Sequence, residues 1–552
     1  MGIATNTNMP DLFEAQFRHA RHYKSILQTA DEMLQRGGKL TFTSLRWFDS
    51  EFPNIKTGFE WCASQAKNDR RALLLCSDFF FNGAHLLHLR LLPLELTSWL
   101  GASLDASRLL GSRLLEAPYL SNLAANQLQL NNPARARDYC QEALPIVREI
   151  RDRRGESIVL TNLGLSYSLL GNYQRARELV QQSFMILQRL GVFDGQAIAL
   201  TNLGHLSAQI GDAHDAITFF EPAVHLMRAS GDLSSESMTN VNLGDAYIQI
   251  GEFRRAILCY ERTLAVGRAL GDIRLQCLGL GGLGQAYNNL GDAPRQRDRR
   301  AIEFYEQALG LSRQLGDALL EAKTLGNLGT CYRQRGEYAR ALELTNEELE
   351  TARRFGARKL EAGALRSLSD VLRLIGRYEG ALEVCELSMN ISRELGDRRG
   401  EADALSNLGR IHVAIRSFTL AVASYEQQLS IATQLGYPNG KADALGQLAE
   451  IYAEQKRPRK SLQLYRQCLS IVRAIGNRPA EASCLWSMSS LLDDLGKLSD
   501  ATSCAQEAVT IYVQIGDERA EGARELLEYL QNQSRLRTKL NRLLSKFRFR
   551  EE

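Results

Sequence analysis

Residues 242–272 read NLGDAYIQIGEFRRAILCYERTLAVGRALGD, and this stretch decides the fold. Gly251 and Gly271 divide it at an interval of 20 residues. Between these glycines the apolar residues follow the spacing of one helix face: Ala256, Ile257, Tyr260 and Leu264. Glycine ends helices readily because it enters the left-handed backbone region without steric cost. The stretch therefore predicts helices separated by short turns.

The tripeptide that opens this stretch recurs along the chain at intervals of 40 residues, with one interval of 45. Identical copies of Asn-Leu-Gly stand at 162–164, 202–204, 242–244, 327–329 and 407–409. Degenerate copies occupy the same phase at 122–124, 282–284, 367–369, 447–449 and 487–489. Self-similarity at such a period is typical of repeat architectures. The sequence therefore predicts about ten copies of one structural unit.

Each copy contains two turns. A first turn residue stands at Gly171, Gly211, Gly251, Gly291, Gly336, Gly376 and Gly496. A second turn stands at Gly191, Gly231, Gly271, Gly316, Gly356, Gly396, Gly436, Gly476 and Gly516, usually as Gly-Asp. About 17 residues remain for each helix, or about 26 Å of length. Since one helical pair cannot bury its own apolar face, the pairs must stack.

Composition limits the class of protein. The 552 residues are 44% hydrophobic and 24% charged, which is typical of a folded chain and argues against disordered or fibrous classes. A formal charge of +3 predicts no bulk attraction to nucleic acid or membranes. The ten cysteines lack any CxxC pair, which fits buried thiols in a reducing cytosol. With no signal-peptide pattern and no apolar run of 18 residues evident, we expect a cytoplasmic protein without a membrane span.

The full repeat pattern adds a tyrosine three residues after the tripeptide, at Tyr167, Tyr247, Tyr287, Tyr332 and Tyr452. Together with the glycines, a central alanine and Leu-Gly-Asp, it resembles the tetratricopeptide repeat in a 40-residue form. The resemblance covers residues 115–530. It is similar to the repeats of LGN-type polarity scaffolds and of the sensor regions of STAND (NB-ARC-type) signalling ATPases. It implies an all-α fold, a right-handed superhelix or α-solenoid.

Two departures from the pattern are local. Five extra residues fall between Gly291 and Ala301, in the stretch DAPRQRDRR at 292–300. They predict a longer basic loop between two helices, either a tolerated surface insertion or a functional loop. Arg416 and Lys456 replace the first turn glycine in two copies, which leaves the turn geometry there open.

The two ends lie outside the repeat phase. We expect residues 1–10 to be disordered and residues 11–114 to form a helical N-terminal cap. Within it, 17–23 and 47–61 resemble the segment that precedes the repeats of STAND proteins, while a generic cap over the first repeat is the alternative. Residues 531–552 combine basic residues with leucines and predict a basic amphipathic C-terminal helix or tail. Such a segment could touch RNA, an acidic protein or a membrane surface, or serve only as a solvated cap.

Motifs of catalysis and cofactor binding are not found in the sequence. The stretch at 33–40 lacks the first glycine and the final Ser or Thr of a P-loop, so ATP hydrolysis is not expected. His19 with His22, and His85 with His88, have a spacing that metals use, but no further ligand is phased beside them. No Gly-x-Ser-x-Gly elbow or dinucleotide fingerprint occurs. We therefore expect no enzyme, no cofactor and no metal site.

In tetratricopeptide proteins the first helix of each pair lines the concave surface, and the asparagine before Leu-Gly commonly bonds the backbone of a bound peptide. The resemblance therefore implies a peptide-binding groove at Asn162, Asn202, Asn242, Asn327 and Asn407. An amide offers both a donor and an acceptor, which suits an extended chain. In the alternative, these asparagines only bond neighbouring helices.

Charge along the same face changes with position. Mostly neutral residues come first, at His205, Gln209, Asp245, Gln249, Gln285, Asn288 and Asn289. Four arginines follow, at Arg333, Arg366, Arg373 and Arg410, and then acids at Asp403, Asp443, Glu450 and Glu454. Because arginine grips carboxylates in pairs, we expect the arginines to hold an acidic segment of a protein or peptide ligand. A generic solvated face is the alternative.

These observations favour a non-enzymatic scaffold or sensor that captures a peptide or protein segment in its concave groove. The alternative is a regulatory module of a STAND-type signalling or transcription system, acting with a separate ATPase or effector. Nucleic-acid binding through residues 295–300 and the basic tail is a third hypothesis.

Overall fold

A computed structural model of the chain describes residues 12–36, 39–290, 294–517 and 519–548. No strand occurs among these residues, which confirms the all-α solenoid class. The chain divides into two compact units, residues 1–202 and 203–552. Helix α10 (Phe193–Ile210) spans the division between them.

The first unit begins with a helical bundle that is followed by the first repeats. The bundle contains α1 (Leu12–Arg36), α2 (Lys39–Gln65), α3 (Arg70–Phe79), a 3₁₀ turn (Phe81–Gly83), α4 (Ala84–Arg90) and α5 (Pro93–Leu109). The repeat helices are α6 (Arg113–Gln129), α7 (Pro133–Glu149), α8 (Arg153–Leu169) and α9 (Tyr173–Leu190). Bundle and repeats share one continuous apolar core, which extends from Ala20 to Leu179.

Aromatic packing holds the bundle together. The rings of Phe59 and Trp99 stack with centroids 4.1 Å apart, and Phe79 meets both rings edge-on. Asp31 is buried at 3% exposure, and its carboxylate accepts the backbone N–H of Leu86 at 2.8 Å. The bundle is therefore packed from within as well as against the first repeat.

Arg70–Arg90 is the one segment among the described residues that is long and apolar enough to cross a membrane by length and composition. The sequence analysis missed it. In the structure it comprises α3, the 3₁₀ turn and α4 rather than a single regular helix. More than half of its apolar window, 56%, is buried inside the fold. Its hydrophobic residues thus contribute to the core of the bundle.

The second unit continues the repeat. Its paired helices are α11 (Ala213–Ser230), α12 (Leu233–Ile250), α13 (Phe253–Leu270), α14 (Ile273–Asn289), α15 (Pro294–Leu315), α16 (Ala318–Gln334), α17 (Tyr338–Arg354), α18 (Arg358–Leu374), α19 (Tyr378–Glu394), α20 (Arg398–Ala414), α21 (Phe418–Gln434), α22 (Pro438–Glu454), α23 (Pro458–Ala474), α24 (Arg478–Asp494) and α25 (Leu498–Ile515). A last helix, α26 (Ala520–Arg548), packs Ala523, Leu527 and Leu530 into the final apolar cluster. The segment predicted as a basic helix or tail therefore belongs, up to Arg548, to α26, while residues 549–552 lie outside the described residues.

The basic insertion does not form the long loop that the sequence predicted. Helix α15 already begins at Pro294 and has 22 residues, five more than the 17-residue helices around it. Proline suits the first turn of a helix, and the arginines and glutamine that follow it are good helix formers. The insertion thus lengthens a helix at its N-terminal end. Residues 291–293 lie outside the described residues.

The turns keep one geometry whether or not they contain glycine. Gly251 and Gly271 have φ of 83° and 68°, in the left-handed region that favours glycine. Arg416 and Lys456 adopt the same conformation, with φ of 58° and 57°. The question that the sequence left open at these two positions is settled: the turn is retained, at a cost in backbone strain.

The glycine of Asn-Leu-Gly makes room for a large side chain of the following helix. A Cβ atom at Gly244 would lie 2.6 Å from the Tyr260 ring, and one at Gly409 would lie 2.6 Å from the Tyr425 ring. Tyr260 and Tyr425 are fully buried. The tripeptide therefore marks the place where the two helices of a repeat pack most closely.

A buried glutamate links each of several repeats to the next. In the first unit, Glu156 at the start of α8 accepts hydrogen bonds from Arg148, in the last turn of α7, and from Arg153 at 2.7 and 2.8 Å. The same arginine-to-glutamate bond across eight residues recurs at Glu116, Glu236, Glu321, Glu361, Glu401 and Glu481. These bridges fix how consecutive helical pairs stack.

Candidate ligand-binding groove

The inner surface of the second unit is made by the first helices of its repeats. Helices α12, α14, α16, α18, α20 and α22 each contact the next first helix in this series. Their outward-facing polar side chains therefore form one continuous strip, which we call the groove. It contains most of the site residues that the sequence predicted.

The predicted asparagines bond neighbouring helices where their partners are visible. Asn162, in the first unit, donates to the backbone oxygen of Ser121 at 3.4 Å. Asn407 donates to the backbone oxygen of Arg366 at 3.0 Å, and Asn242 Nδ2 lies 3.2 Å from Nε2 of His205. These contacts correspond to the alternative role that the sequence analysis named. Each side chain stays half-buried, so its amide retains accessible surface.

Asn202 and Asn327 are also half-buried, on α10 and α16. Asn327 lines a cleft of about 20 Å³ together with Asp245, Gln285 and Lys323. The Tyr260 hydroxyl donates to Asp245 at 2.5 Å, and burial raises the pKa of this carboxyl, with Lys323 opposing the rise. This cleft offers amide, carboxyl and ammonium groups within one short stretch of the groove.

Two of the predicted arginines converge on one carboxylate. Asp370 accepts Arg333 at 2.9 Å and Arg373 at 2.7 Å. Its side chain is 12% exposed, whereas those of the arginines are 28% and 22% exposed. The cluster has one net positive charge, and Asp370 holds both guanidinium groups in place.

Arg366 acts on two buried carboxyl groups. Burial raises the pKa of Glu348 to about 7, and the positive charge of Arg366 opposes that rise. Burial also raises the pKa of Asp403, again opposed first by Arg366. One carboxyl oxygen of Glu348, Oε2, is buried without a hydrogen-bond partner. Arg366 therefore lies in an electrostatically unsettled part of the groove.

The acidic end of the groove contains a third type of arrangement. Asp443 accepts hydrogen bonds from Ser406 at 2.8 Å and Gln428 at 2.9 Å, and it lies 3.5 Å from Arg410. Burial, and then the charges of Asp443 and Glu454, raise the pKa of Glu450. Negative charge therefore accumulates beyond Arg410.

The structure thus places the predicted arginines along one strip but interleaves them with acids. Arg333, Arg373 and Arg410 each face an aspartate on a neighbouring or the same first helix. The sequence analysis listed Asp403, Asp443 and Glu450 but missed Asp370 and Glu348. Asp370 lies three residues before Arg373 on α18, and this i, i+3 spacing would have revealed the pair. Glu348 belongs to a second helix, α17, so the first-helix pattern did not include it.

A chamber opens at the end of the groove, near the turns that follow α10 and α12. Gly211 lies against Pro438 and Asn439, and Gly251 lies against Pro479 and Ile515, so distant repeats of this unit meet there. The chamber has a volume of about 410 Å³. Its lining includes Gln249, Asn439, Asp443, Gln447, Glu450, Tyr465, Cys468, Asn477 and Cys484. No spacing in the sequence indicated this closure.

The histidine pairs take part in local contacts. His85 Nδ1 lies 2.9 Å from Asp31, and His19 and His22 pack against the ring of Tyr23. Burial lowers the pKa of His88. Over the described part of the chain, no group of three or more potential metal ligands occurs.

The repeat geometry matches a known family. The tetratricopeptide repeat model matches residues 100–189, 195–269, 282–354, 360–434 and 440–512, which together exceed half of the chain. The chain therefore belongs to the tetratricopeptide repeat family. The match begins within α5, before the start at residue 115 that the tripeptide phase indicated.

Two solved structures illustrate the similarity of fold. One is BtubC (BKLC) from P. vanneervenii, with 20% identity and a TM-score of 0.34 over 40% of this chain and 92% of that chain. The other is a Rap protein complexed with Competence and Sporulation Factor, with 13% identity and a TM-score of 0.45 over 65% of this chain and 98% of that chain. We base no functional argument on either. A comparison with curated proteins finds no match.

Proposed function

We propose that this chain is a non-enzymatic, cytoplasmic scaffold or sensor that binds a peptide or protein segment in the groove. Tetratricopeptide repeats imply an interaction scaffold. The observation that carries the proposal is the strip of polar groups on the first helices, from the Asn327 cleft through Arg366 to Asp443. Such a strip supplies alternating donors and acceptors to an extended chain that lacks partners of its own.

The ligand in this proposal presents an acidic segment to the middle repeats. Arg366 has the strongest claim as its partner, because no aspartate holds it as Asp370 holds Arg333 and Arg373. A ligand carboxylate beside Arg366 would form a charge-assisted pair, and Arg333 and Arg373 would add a net positive field. A basic stretch of the same ligand would lie toward Asp443 and Glu450.

Affinity capture tests the proposal. The full chain serves as bait, and retained proteins are identified by mass spectrometry. Asn327→Ala and Arg366→Gln alter the groove, whereas Arg340→Gln alters an exposed arginine on the second helix α17. We expect a specific partner to be lost with the two groove variants and kept with Arg340→Gln, at unchanged melting temperature. Equal retention by all variants would contradict binding in the groove.

A second candidate is a regulatory module of a STAND-type system, in which a separate ATPase or effector is the partner. It is supported by the helical bundle α1–α5, which precedes the repeats and shares their core. The same capture experiment distinguishes the candidates, since recovery of a P-loop ATPase that also depends on residues 12–109 would favour the second. A partner that binds a chain lacking these residues would argue against it.

A further inference from the structure

Two cysteines meet in the wall of the chamber. Cys468 on α23 and Cys484 on α24 have their sulfur atoms 3.1 Å apart. Both side chains are buried, at 3% and 6% exposure, yet both line the chamber of about 410 Å³. A space of this size admits molecules much larger than water. The pair is therefore tightly packed on one side and open to small reagents on the other.

The equivalent positions in other repeats show that packing does not require two thiols. Cys468 donates to the backbone oxygen of Ala442, 26 residues earlier, at 3.3 Å. Ser183, Thr263 and Ser388 make the same bond to the carbonyl 26 residues before them. Sixteen residues after each hydroxyl, where Cys484 follows Cys468, stand Ala199, Gly279 and Ala404. A hydroxyl facing a small residue thus fills this place elsewhere, and only here do two sulfur atoms face each other among the three repeats compared.

We propose that Cys468 and Cys484 form a redox-active pair that closes to an intramolecular disulfide when the protein meets a peroxide. A disulfide has an S–S length of about 2.05 Å, so the two sulfurs need to approach by about 1 Å in total. The backbone already places both side chains on neighbouring helices, α23 and α24. The site is a modification site, and it does not depend on the proposed ligand.

The chemistry balances with hydrogen peroxide as the two-electron oxidant. The Cys468 thiolate attacks one peroxide oxygen, the O–O bond breaks, and the departing hydroxide takes a proton to become water. The Cys484 thiolate then attacks the sulfenic sulfur of Cys468, the S–O bond breaks, and a second water leaves. The two sulfurs are oxidised, and both peroxide oxygens are reduced.

The surroundings favour Cys468 as the first nucleophile. The hydrogen bond from Cys484 lowers the pKa of the Cys468 thiol, with burial and Asp443 opposing it. The same bond, together with burial, raises the pKa of Cys484. The nearby acids that line the chamber, Asp443 and Glu450, disfavour a thiolate, so we expect oxidation to be slow. The isolated thiols Cys140 and Cys385 have their pKa raised by burial and lack a sulfur partner at this distance in the described contacts.

The test uses the full chain, reduced and then exposed to hydrogen peroxide. Remaining thiols are alkylated after unfolding, and tryptic peptides are analysed without reduction. Arg473 lies between the two cysteines, so trypsin separates them. We expect a cross-linked peptide pair containing Cys468 and Cys484, rising from almost none to most of the protein and disappearing with dithiothreitol.

Matched variants isolate the pair. Cys468→Ser should abolish the cross-link and leave the melting temperature within a few degrees, because serine makes the same bond in Ser183 and Ser388. Cys385→Ser, a buried cysteine without such a partner, should keep the cross-link. If Cys468→Ser does not fold, Cys484→Ala serves instead, since alanine occupies that position at Ala199 and Ala404.

Three results would overturn the proposal. One is recovery of both cysteines as free thiols under peroxide that oxidises the more exposed Cys504. Another is over-oxidation of Cys468 to sulfinic acid without a cross-link. The third is a disulfide from either cysteine to a different residue.

Discussion

At the scale of single residues, the close contact between helices depends on the glycine of Asn-Leu-Gly. Gly409→Ala would place a methyl group 2.6 Å from the Tyr425 ring, so we expect a loss of about 1 to 3 kcal/mol in the free energy of unfolding. Gly329→Ala is the matched control, because its nearest neighbour, Thr345, lies 3.5 Å away. There the gain in helix propensity should leave stability unchanged or raised by about 1 kcal/mol. Urea unfolding of both variants measures the difference, and equal losses would contradict this explanation of the motif.

The buried glutamates provide a second test at this scale. Burial alone would raise the pKa of Glu156, but hydrogen bonds from Arg148 and Arg153 outweigh it, and the pKa is lowered from its ordinary 4.5. Glu156→Gln should therefore cost about 1 to 3 kcal/mol at pH 7. Glu178→Gln removes an exposed pair with Arg175 and should change stability by less than about 0.5 kcal/mol.

The pH dependence has a definite sign. Because the folded state lowers the pKa of Glu156, its contribution is complete above the unfolded value of 4.5 and is lost as the pH falls through the folded-state value. The difference in stability between wild type and Glu156→Gln should thus shrink below pH 4.5. A difference that stays constant down to pH 3 would show that the charge of Glu156 is not involved.

The sequence revealed the residues that mark the repeat but not those that join repeats. Asn-Leu-Gly is visible because its letters recur. The arginine and glutamate of each bridge are also eight residues apart in seven places, yet they look like ordinary surface charges until the structure shows the glutamates to be buried. Burial of a charged group depends on the neighbouring helical pair, which a local pattern does not show.

At the scale of helices and turns, two repeats contain avoidable strain. Lys456 ends its helix with φ of 57°, where a side chain costs about 1 kcal/mol relative to glycine. Lys456→Gly should raise the free energy of unfolding by up to about 1 kcal/mol. Gly336→Ala, at φ of 76° with open space around it, should lower it by a similar amount. Chemical denaturation tests both, and a destabilised Lys456→Gly would show that its side chain has a role that outweighs the strain.

Helix α15 shows where element prediction fails. The insertion was read as a loop because a proline and several charges interrupt the pattern, whereas Pro294 occupies a first helical turn. The number of helices and their length of 17 or 18 residues could be predicted, because the glycine spacing fixes both. The start of α15 could not, because proline is compatible with a loop and with a helix N-terminus.

At the scale of the whole molecule, contacts are mainly between consecutive helices. Stacked repeats of this kind unfold in parts rather than all at once. Trp47, Trp61 and Trp99 belong to the first unit and only Trp486 to the second, so tryptophan fluorescence mostly reports the first unit. We expect urea transitions followed by fluorescence and by circular dichroism to differ in midpoint. Superimposable single transitions would contradict this expectation.

The groove was predictable in its location but not in its charge pattern. The resemblance assigned first helices to the inner surface, and the predicted arginines do line it. Their pairing with Asp370 and Asp443 depends on the offset between neighbouring helices, and the chamber depends on contacts between repeats more than 200 residues apart. Neither follows from a 40-residue pattern.

The central claim is that the groove binds the partner. A photo-crosslinking amino acid placed at Lys323 would lie exposed in the groove, whereas one at Leu387 would lie exposed on the second helix α19. Each labelled full-length protein is irradiated with the partner recovered by affinity capture. We expect cross-linking at 323 to exceed that at 387 at least tenfold and to fall with Arg366→Gln. Efficient cross-linking at 387 with none at 323 would contradict the claim.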